Sequence, residues 1–412
     1  MKIMLAAAAF SSEMTGVQRH AFNVVRSLLT RPEISLVHLV VAPWQRALVQ
    51  SMAQSMAQSF GSEPGDRLRI HLAPMEHTSI GRNLWYYRGL PSLAAQLRAD
   101  LVHLAYPAPL NPFAYTCPTI VTLHDLYPYE IPANFGFPKV LFNRMILQQC
   151  LRNASAIACV SQITAERLRQ YVPAQQHKAV RIYNCVEASA AATNSAAATN
   201  LAPPQSCEDR TPILGWHAIP FLLCVAQHRR NKNVPLLIRT FAQLLRTRRI
   251  DREMKLLIVG IPGPETQSIH HAIARCQVAE NVVLLDGLSE AELDWCYTHC
   301  EAVVAPSTTE GLGLPVAEAL LAGCRVVCSD IPAFREVGHG YAHFVSLARN
   351  PEDALAAAIP EALAAPAQAP AVLPQFSART LGAQYLDLYR KLLAAAPSAA
   401  GIQAIAPERL TG

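Results

Sequence analysis

Two carboxylates with seven residues between them flank a glycine-rich turn in Pro306-Ser307-Thr308-Thr309-Glu310-Gly311-Leu312-Gly313-Leu314-Pro315-Val316-Ala317-Glu318-Ala319. The segment follows an apolar run and leads into a helix-period pattern. Gly311 and Gly313 let backbone amides approach a ligand, Pro315 suits a first helical turn, and the N-terminus of that helix attracts an anion. Glu318 sits one turn in, within the otherwise apolar stretch 314–322, where a carboxylate without a partner is costly. It is suited to gripping the two hydroxyls of a ribose, while Glu310 on the loop can reach a sugar hydroxyl beyond the phosphates. A solvated loop charge at Glu310 and a capping role at Glu318 are the plainer alternatives.

Three further groups sit after apolar runs. Gln227-His228-Arg229-Arg230-Asn231-Lys232-Asn233-Val234 concentrates cations behind the run 221–225. The alternative there is a solvated basic turn, since Arg239, Arg246, Arg248, Arg249 and Arg252 follow and are assigned to the surface. His124-Asp125 ends the run Val121-Thr122-Leu123, at the carboxyl edge where α/β sheets bind ligands, although a lone histidine is more often a packing residue. Gly16, in Glu13-Met14-Thr15-Gly16-Val17-Gln18-Arg19-His20, follows the first run and is equally accounted for as a plain strand-to-helix turn.

The elements that must position these groups alternate along the chain. Strands are expected at 3–10, 36–41, 101–104, 120–123 and 156–160, with helices at 17–29, 140–151 and 165–171. The pattern repeats with strands at 221–225, 256–259, 282–284, 302–305 and 325–328 and helices at 234–245, 290–296 and 315–321. Such alternation reads as parallel βαβ units, and 412 residues exceed the size at which one core keeps growing, so two domains are expected. Residues 188–204 are almost entirely Ala, Ser, Thr, Asn and Pro and read as a linker. The expected organisation is a domain over 1–187, a linker or disordered insertion over 188–214, a second domain over 215–375, and a helix over 376–395 able to cross back to the first. An Ala/Pro-rich stretch, 358–370, precedes that helix, and the tail beyond residue 394 is expected to fray. The opening Met1-Lys2-Ile3-Met4-Leu5 and four alanines fit a signal peptide or a buried first strand; the short apolar run and the turn that follows favour the strand.

Composition narrows the function. A net charge of +5 without dense Lys/Arg clusters argues against a nucleic-acid partner. Eleven scattered cysteines without a Cys-x-x-Cys pair read as small buried hydrophobes in a reducing compartment, with neither disulfides nor structural zinc. With no apolar stretch of the ~20 residues a span needs, a cytoplasmic protein is expected. Arg82, Leu84, Trp85, Tyr86, Tyr87, Arg88 and Leu90 suit peripheral contact with the inner membrane face, or equally a core helix with snorkelling arginines. No Asp-x-Asp, P-loop or Gly-x-Gly-x-x-Gly after a strand occurs.

The Glu310-x7-Glu318 element, the flanking Pro-Ser and Gly-Leu-Pro, and Ala322-Gly323-Cys324-Arg325-Val326-Val327-Cys328-Ser329-Asp330 resemble the donor-binding signature of retaining glycosyltransferases of the GT-B fold, family 4 or group 1. The resemblance implies an α/β fold of two Rossmann-like, doubly wound domains facing each other across a cleft. It implies transfer of a hexosyl group from a nucleotide-diphosphate sugar to an acceptor hydroxyl, on a sugar or lipid-linked saccharide, with retention of configuration. The departing diphosphate itself would take the acceptor proton, so no protein nucleophile is needed, and no metal or other cofactor is expected. Carried over residue by residue, His124, Lys232, Arg230 and Glu310 are the catalytic candidates, with Arg229 the other choice for the arginine paired with Lys232. Gly16, Asp125, Glu310, Gly311, Leu312, Gly313, Leu314 and Glu318 are the donor-binding candidates. Two cations at the diphosphate would stabilise charge as it develops on the leaving group. Within the family, Arg229-Arg230-Asn231-Lys232-Asn233-Val234 in place of a Glu-Lys-Gly type leans towards mannosyl transfer in polysaccharide assembly. A sugar-nucleotide epimerase of the same architecture and a non-catalytic nucleotide-sugar-binding protein are the rival readings.

Overall fold

The computed structural model describes residues 1–12, 14–60, 67–186, 219–338 and 340–395. The expected linker 188–214, the tail beyond residue 395 and Glu13 lie outside the described residues. Among the described residues the chain folds into two α/β layers, each around one parallel sheet.

The first sheet contains β1 (Lys2–Ala6), β2 (Leu36–Val41), β3 (Leu68–Leu72), β4 (Leu101–Leu104), β5 (Thr119–Leu123), β6 (Ala156–Cys159) and β7 (Ala179–Arg181), in the order β3-β2-β1-β4-β5-β6-β7. The second contains β8 (Phe221–Val225), β9 (Lys255–Val259), β10 (Val282–Leu285), β11 (Ala302–Ala305), β12 (Val326–Ser329) and β13 (His343–Val345), in the order β10-β9-β8-β11-β12-β13. Each order reverses direction once, between β1 and β4 and between β8 and β11, the two crevices where doubly wound sheets bind ligands.

Both faces of the central strands are covered, which is why β8 and β11 read as unbroken apolar runs, whereas the edge strand β3, Leu-Arg-Ile-His-Leu, is partly exposed. In β1, Ile3 and Leu5 join one core cluster while Met4 and Ala6 join another on the opposite face. In β8, Leu222 and Cys224 face one way and Phe221 and Leu223 the other. Between them helix Val234–Arg246 buries Leu237, Ile238, Phe241 and Leu244, the one-sided spacing of an amphipathic helix.

The C-terminal helix Ala378–Ala395 packs on the first domain, with Leu381, Tyr385, Leu388 and Tyr389 inside its core beside helix Gly16–Leu29. The first seven residues of the Ala/Pro-rich stretch 358–370 finish helix Pro351–Ala364. Alanine favours helix, and Pro360 sits well past the first turn without ending it. Of the aromatic run, Trp85, Tyr86 and Leu90 are buried in the first domain, so the core-helix reading describes them; Leu84, Tyr87 and Arg88 are exposed. The ten described cysteines are free, and no described helix is long and apolar enough to cross a membrane.

Candidate active site

The loops after β1, β5, β8 and β11 meet at the two crevices and line one cavity of about 610 Å³ between the domains, a size that takes a small-molecule ligand. Gly16, His124, Asp125, Lys232, Glu310, Gly311, Leu312, Gly313, Leu314 and Glu318 all line it. Arg230 does not. It opens the short 3-10 turn Arg230–Lys232 and is exposed, whereas Arg229, one residue earlier, is half-buried and faces the cavity. Of the two arginines expected as alternatives beside Lys232, the structure therefore brings Arg229 and not Arg230 to the cavity.

Asn233 ends that turn in the left-handed region, at φ 54°, and helix Val234–Arg246 starts from it with a proline in its first turn. The turn thereby directs Lys232 inward, where its Nζ lies 2.6 Å from Glu310 Oε1. Ser307 Oγ donates to the same oxygen at 2.7 Å, and Tyr127 Oη donates to Oε2 at 3.4 Å from the first domain. Asn231, buried between the domains, donates to the Thr309 carbonyl at 3.2 Å and to Tyr127 Oη at 3.3 Å, holding the loop that carries Glu310.

Glu318, on helix Leu314–Leu321, has a different set of partners. Its Oε1 accepts from Arg19 Nη1 of the first domain at 2.7 Å, and its Oε2 accepts from Tyr297 Oη at 2.7 Å. Tyr297 rides on helix Glu290–His299, which is fixed at its start by reciprocal bonds between Ser289 and Glu292. Burial pulls the Arg19 pKa down, but the nearby acidic groups, Glu318 first and then Glu290 and Tyr297, together more than offset it and the guanidinium stays above its ordinary value.

His124 donates Nε2–H to the Ala105 carbonyl at 2.9 Å, which leaves Nδ1 as the acceptor of a neutral ring. Burial lowers its pKa to about 4, so the ring is uncharged near neutral pH. Asp125 accepts from the Tyr127 amide at 3.0 Å, and burial raises its pKa to about 6.

Gly311 and Gly313, both lining the cavity, also serve the packing around it. A Cβ on Gly311 would overlap the His124 carbonyl oxygen, so the missing side chain permits the two domains to touch. The Gly311 carbonyl in turn accepts from Ser161 Oγ and, at 3.2 Å, from Thr164 Oγ1. Gly313 adopts φ 94°, and a Cβ there would strike the Phe334 ring. Leu312 is packed into the second domain's core as well as lining the cavity.

Tyr127, Asn231, Tyr297 and Arg19 were not singled out by sequence. Asn231 and Arg19 lie inside segments already marked as loops of interest; nothing local marks Tyr297, whose relation to Glu318 exists only after two helices pack.

Two doubly wound, Rossmann-like domains facing each other across a cleft at their switch points are the GT-B fold. Residues 216–372 match the family described as Glycosyl transferases group 1, and residues 14–190 match that described as Glycosyltransferase Family 4. The chain belongs to this glycosyltransferase family, one model covering each domain.

Among curated relatives it is 25% identical over 234 residues to the O-antigen chain mannosyltransferase RfbU of Salmonella typhimurium, covering 57% of this chain and 57% of that protein. It is 24% identical over 221 residues to the O-antigen chain mannosyltransferase B of Escherichia coli, covering 53% and 54%. The chain thus spans little more than half the length of these curated relatives. The fold is shared with a sucrose-phosphate synthase from Thermosynechococcus elongatus, at a TM-score of 0.69 and 19% identity, covering 96% of this chain and 100% of that one. It is also shared with Anabaena HepE solved with UDP and glucose, at 0.64 and 17%, covering 95% and 100%.

Proposed function

We propose that the chain transfers a hexosyl group, mannosyl in the first instance, from a nucleotide-diphosphate sugar to a hydroxyl of a saccharide acceptor, with retention and without a metal ion. The observation that carries this reading is the convergence of Lys232, Arg229, Glu310 and Glu318 on one interdomain cavity. Relatives named as O-antigen mannosyltransferases support the sugar and the polysaccharide setting.

In this reading Glu318 takes the ribose and Glu310 the hexose hydroxyls. Lys232 and Arg229 face the diphosphate, whose charge grows as the bond from its oxygen to the anomeric carbon breaks. The acceptor oxygen forms its new bond to that carbon on the same face. Its proton passes to an oxygen of the departing diphosphate, so no protein group changes its bonding. Neutral His124, with Nδ1 free to accept, orients a hydroxyl at the reacting face. The acceptor, free or lipid-linked, approaches from the first domain, and peripheral membrane contact belongs to this proposal.

The test is incubation with GDP-mannose and a panel of other sugar nucleotides, with and without saccharide acceptors, followed by NMR of the anomeric proton. Acceptor-dependent release of nucleoside diphosphate and a product with the donor's configuration are expected. An inverted product removes retention, and an altered sugar nucleotide formed without acceptor returns the epimerase reading.

A further inference from the structure

We propose that Arg19 is a ligand for the donor diphosphate, held on Glu318 until the nucleotide arrives and then exchanged from carboxylate to phosphate. The inference rests on the donor reading above and adds a residue from the opposite domain to it.

Glu318 is approached from two sides. Tyr297 is buried and does not line the cavity, so it holds Oε2 from behind. Arg19 does line the cavity and holds Oε1 from the open side. A ligand that reaches Glu318 from the cleft therefore finds the guanidinium already on Oε1. A ribose that takes Oε1 competes with Arg19 Nη1 for the same oxygen.

The displaced guanidinium then needs an anion. Arg19 lies in the first turn of helix Gly16–Leu29, three residues after Gly16, which also lines the cavity. Of the cavity's three cations, Lys232 is matched by Glu310 at 2.6 Å and Arg19 by Glu318 at 2.7 Å. A nucleoside diphosphate brings in both halves of the exchange at once: a diol that replaces Arg19 on Glu318, and phosphate oxygens that fit a guanidinium fork. A nucleoside brings only the first half, so it must displace Arg19 without offering it a new partner.

That asymmetry makes the test. Calorimetry on the full chain uses GDP with guanosine and UDP with uridine, against wild type, Arg19→Gln and Arg19→Lys. For the base that wild type accepts, Arg19→Gln is expected to weaken the diphosphate roughly tenfold to a hundredfold, the scale of a charged hydrogen bond. The nucleoside should bind the same variant as well as or better than wild type, and Arg19→Lys should recover part of the diphosphate affinity. A purely structural arginine predicts equal losses for nucleoside and diphosphate, and that result, or no change for either, overturns the proposal. Wild type that binds neither diphosphate overturns the donor reading itself, and this proposal with it.

Discussion

The ammonium of Lys232 and the carboxylate of Glu310 stand 2.6 Å apart, so the cation assigned to the leaving diphosphate and the carboxylate assigned to the sugar begin as each other's counter-ions. Glu310 is the more buried of the two, with 7% of its side chain exposed against 16% for Lys232. In the proposed reading, donor binding opens this pair, sending the ammonium to phosphate and leaving the carboxylate to sugar hydroxyls.

Lys232→Ala is expected to lower kcat by ~2.7–4 kcal/mol in barrier, by analogy with removal of one oxyanion donor. It also leaves a buried carboxylate without its cation, so the melting temperature should fall as well. Adding Glu310→Gln should restore much of that stability and none of the turnover. Rates and thermal melts of the two single variants and the double variant measure both effects; near-normal kcat in Lys232→Ala would return that lysine to a solvated turn.

Glu310 and Glu318 should fail differently. Ribose is common to donor, transition state and product nucleotide, so Glu318→Gln should weaken donor and free nucleoside diphosphate alike and appear mainly in KM. The hexose flattens and gains positive charge as its bond to phosphate breaks, so Glu310→Gln should depress kcat while leaving diphosphate affinity nearly unchanged. Calorimetry with the nucleoside diphosphate decides, since equal weakening by both variants removes the division of roles.

Much of this site is legible in the sequence, because Glu310, Lys232 and His124 lie in the loops and turns that follow strongly apolar strands, and Glu318 stands out as the one carboxylate in an apolar helix. Strands β8 and β11 fall at the expected residues for the same reason: buried parallel strands leave an apolar run with sharp ends. Helix Arg46–Phe60 and helix Thr266–Cys276 were not anticipated, since Gln, Ser and His interrupt their apolar spacing. Partnerships were less legible still. Arg19 and Glu318 are 299 residues apart, and no local pattern encodes a bond that forms only when two domains close on each other.

Turnover should persist in excess EDTA, because cations of the chain itself face the cavity where the diphosphate is assigned. Steady-state rates with and without chelator check this. Complete loss that magnesium reverses would require an ion in the mechanism.

Stability should fall as the solution is acidified below about pH 6.5. Burial holds His103 at about 3 and His124 at about 4, and lowers His20 well below its ordinary value, so all three fold neutral. The unfolded chain protonates them near pH 6.5 and thus binds more protons, which costs about 1.4 kcal/mol per pH unit for each histidine. Asp125 works the other way: its folded value of about 6 exceeds the unfolded one, so it gives back one proton of the three between roughly pH 4 and 6. Denaturant midpoints at pH 7.5, 6 and 5 should therefore decline steadily. A flat profile would mean that the Tyr389–His103–Thr122–Tyr385 hydrogen-bond network tolerates a charged ring.

The last prediction contrasts two glycines of the cleft. A Cβ on Gly311 would overlap the His124 carbonyl oxygen, and that oxygen is backbone, so relief requires the domains to separate. Gly311→Ala should therefore destabilise on the scale of an overpacked core, ~1–3 kcal/mol, and should weaken the contacts of Ser161 and Thr164 with the Gly311 carbonyl. At Gly16 the nearest atom to a new Cβ is Leu314 Cδ1 at 3.7 Å, an ordinary van der Waals contact. Gly16 is also the first residue of its helix, where alanine is well tolerated. Gly16→Ala should leave the melting temperature unchanged or slightly raised. If the cleft face of Gly16 is where donor phosphate approaches the backbone, the same variant should weaken nucleoside diphosphate binding, because the added methyl stands in that path. Melting curves and calorimetry on the two variants separate the roles: a loss of stability in Gly16→Ala, or unaltered stability in Gly311→Ala, would reverse the assignment of which glycine serves the fold and which the ligand.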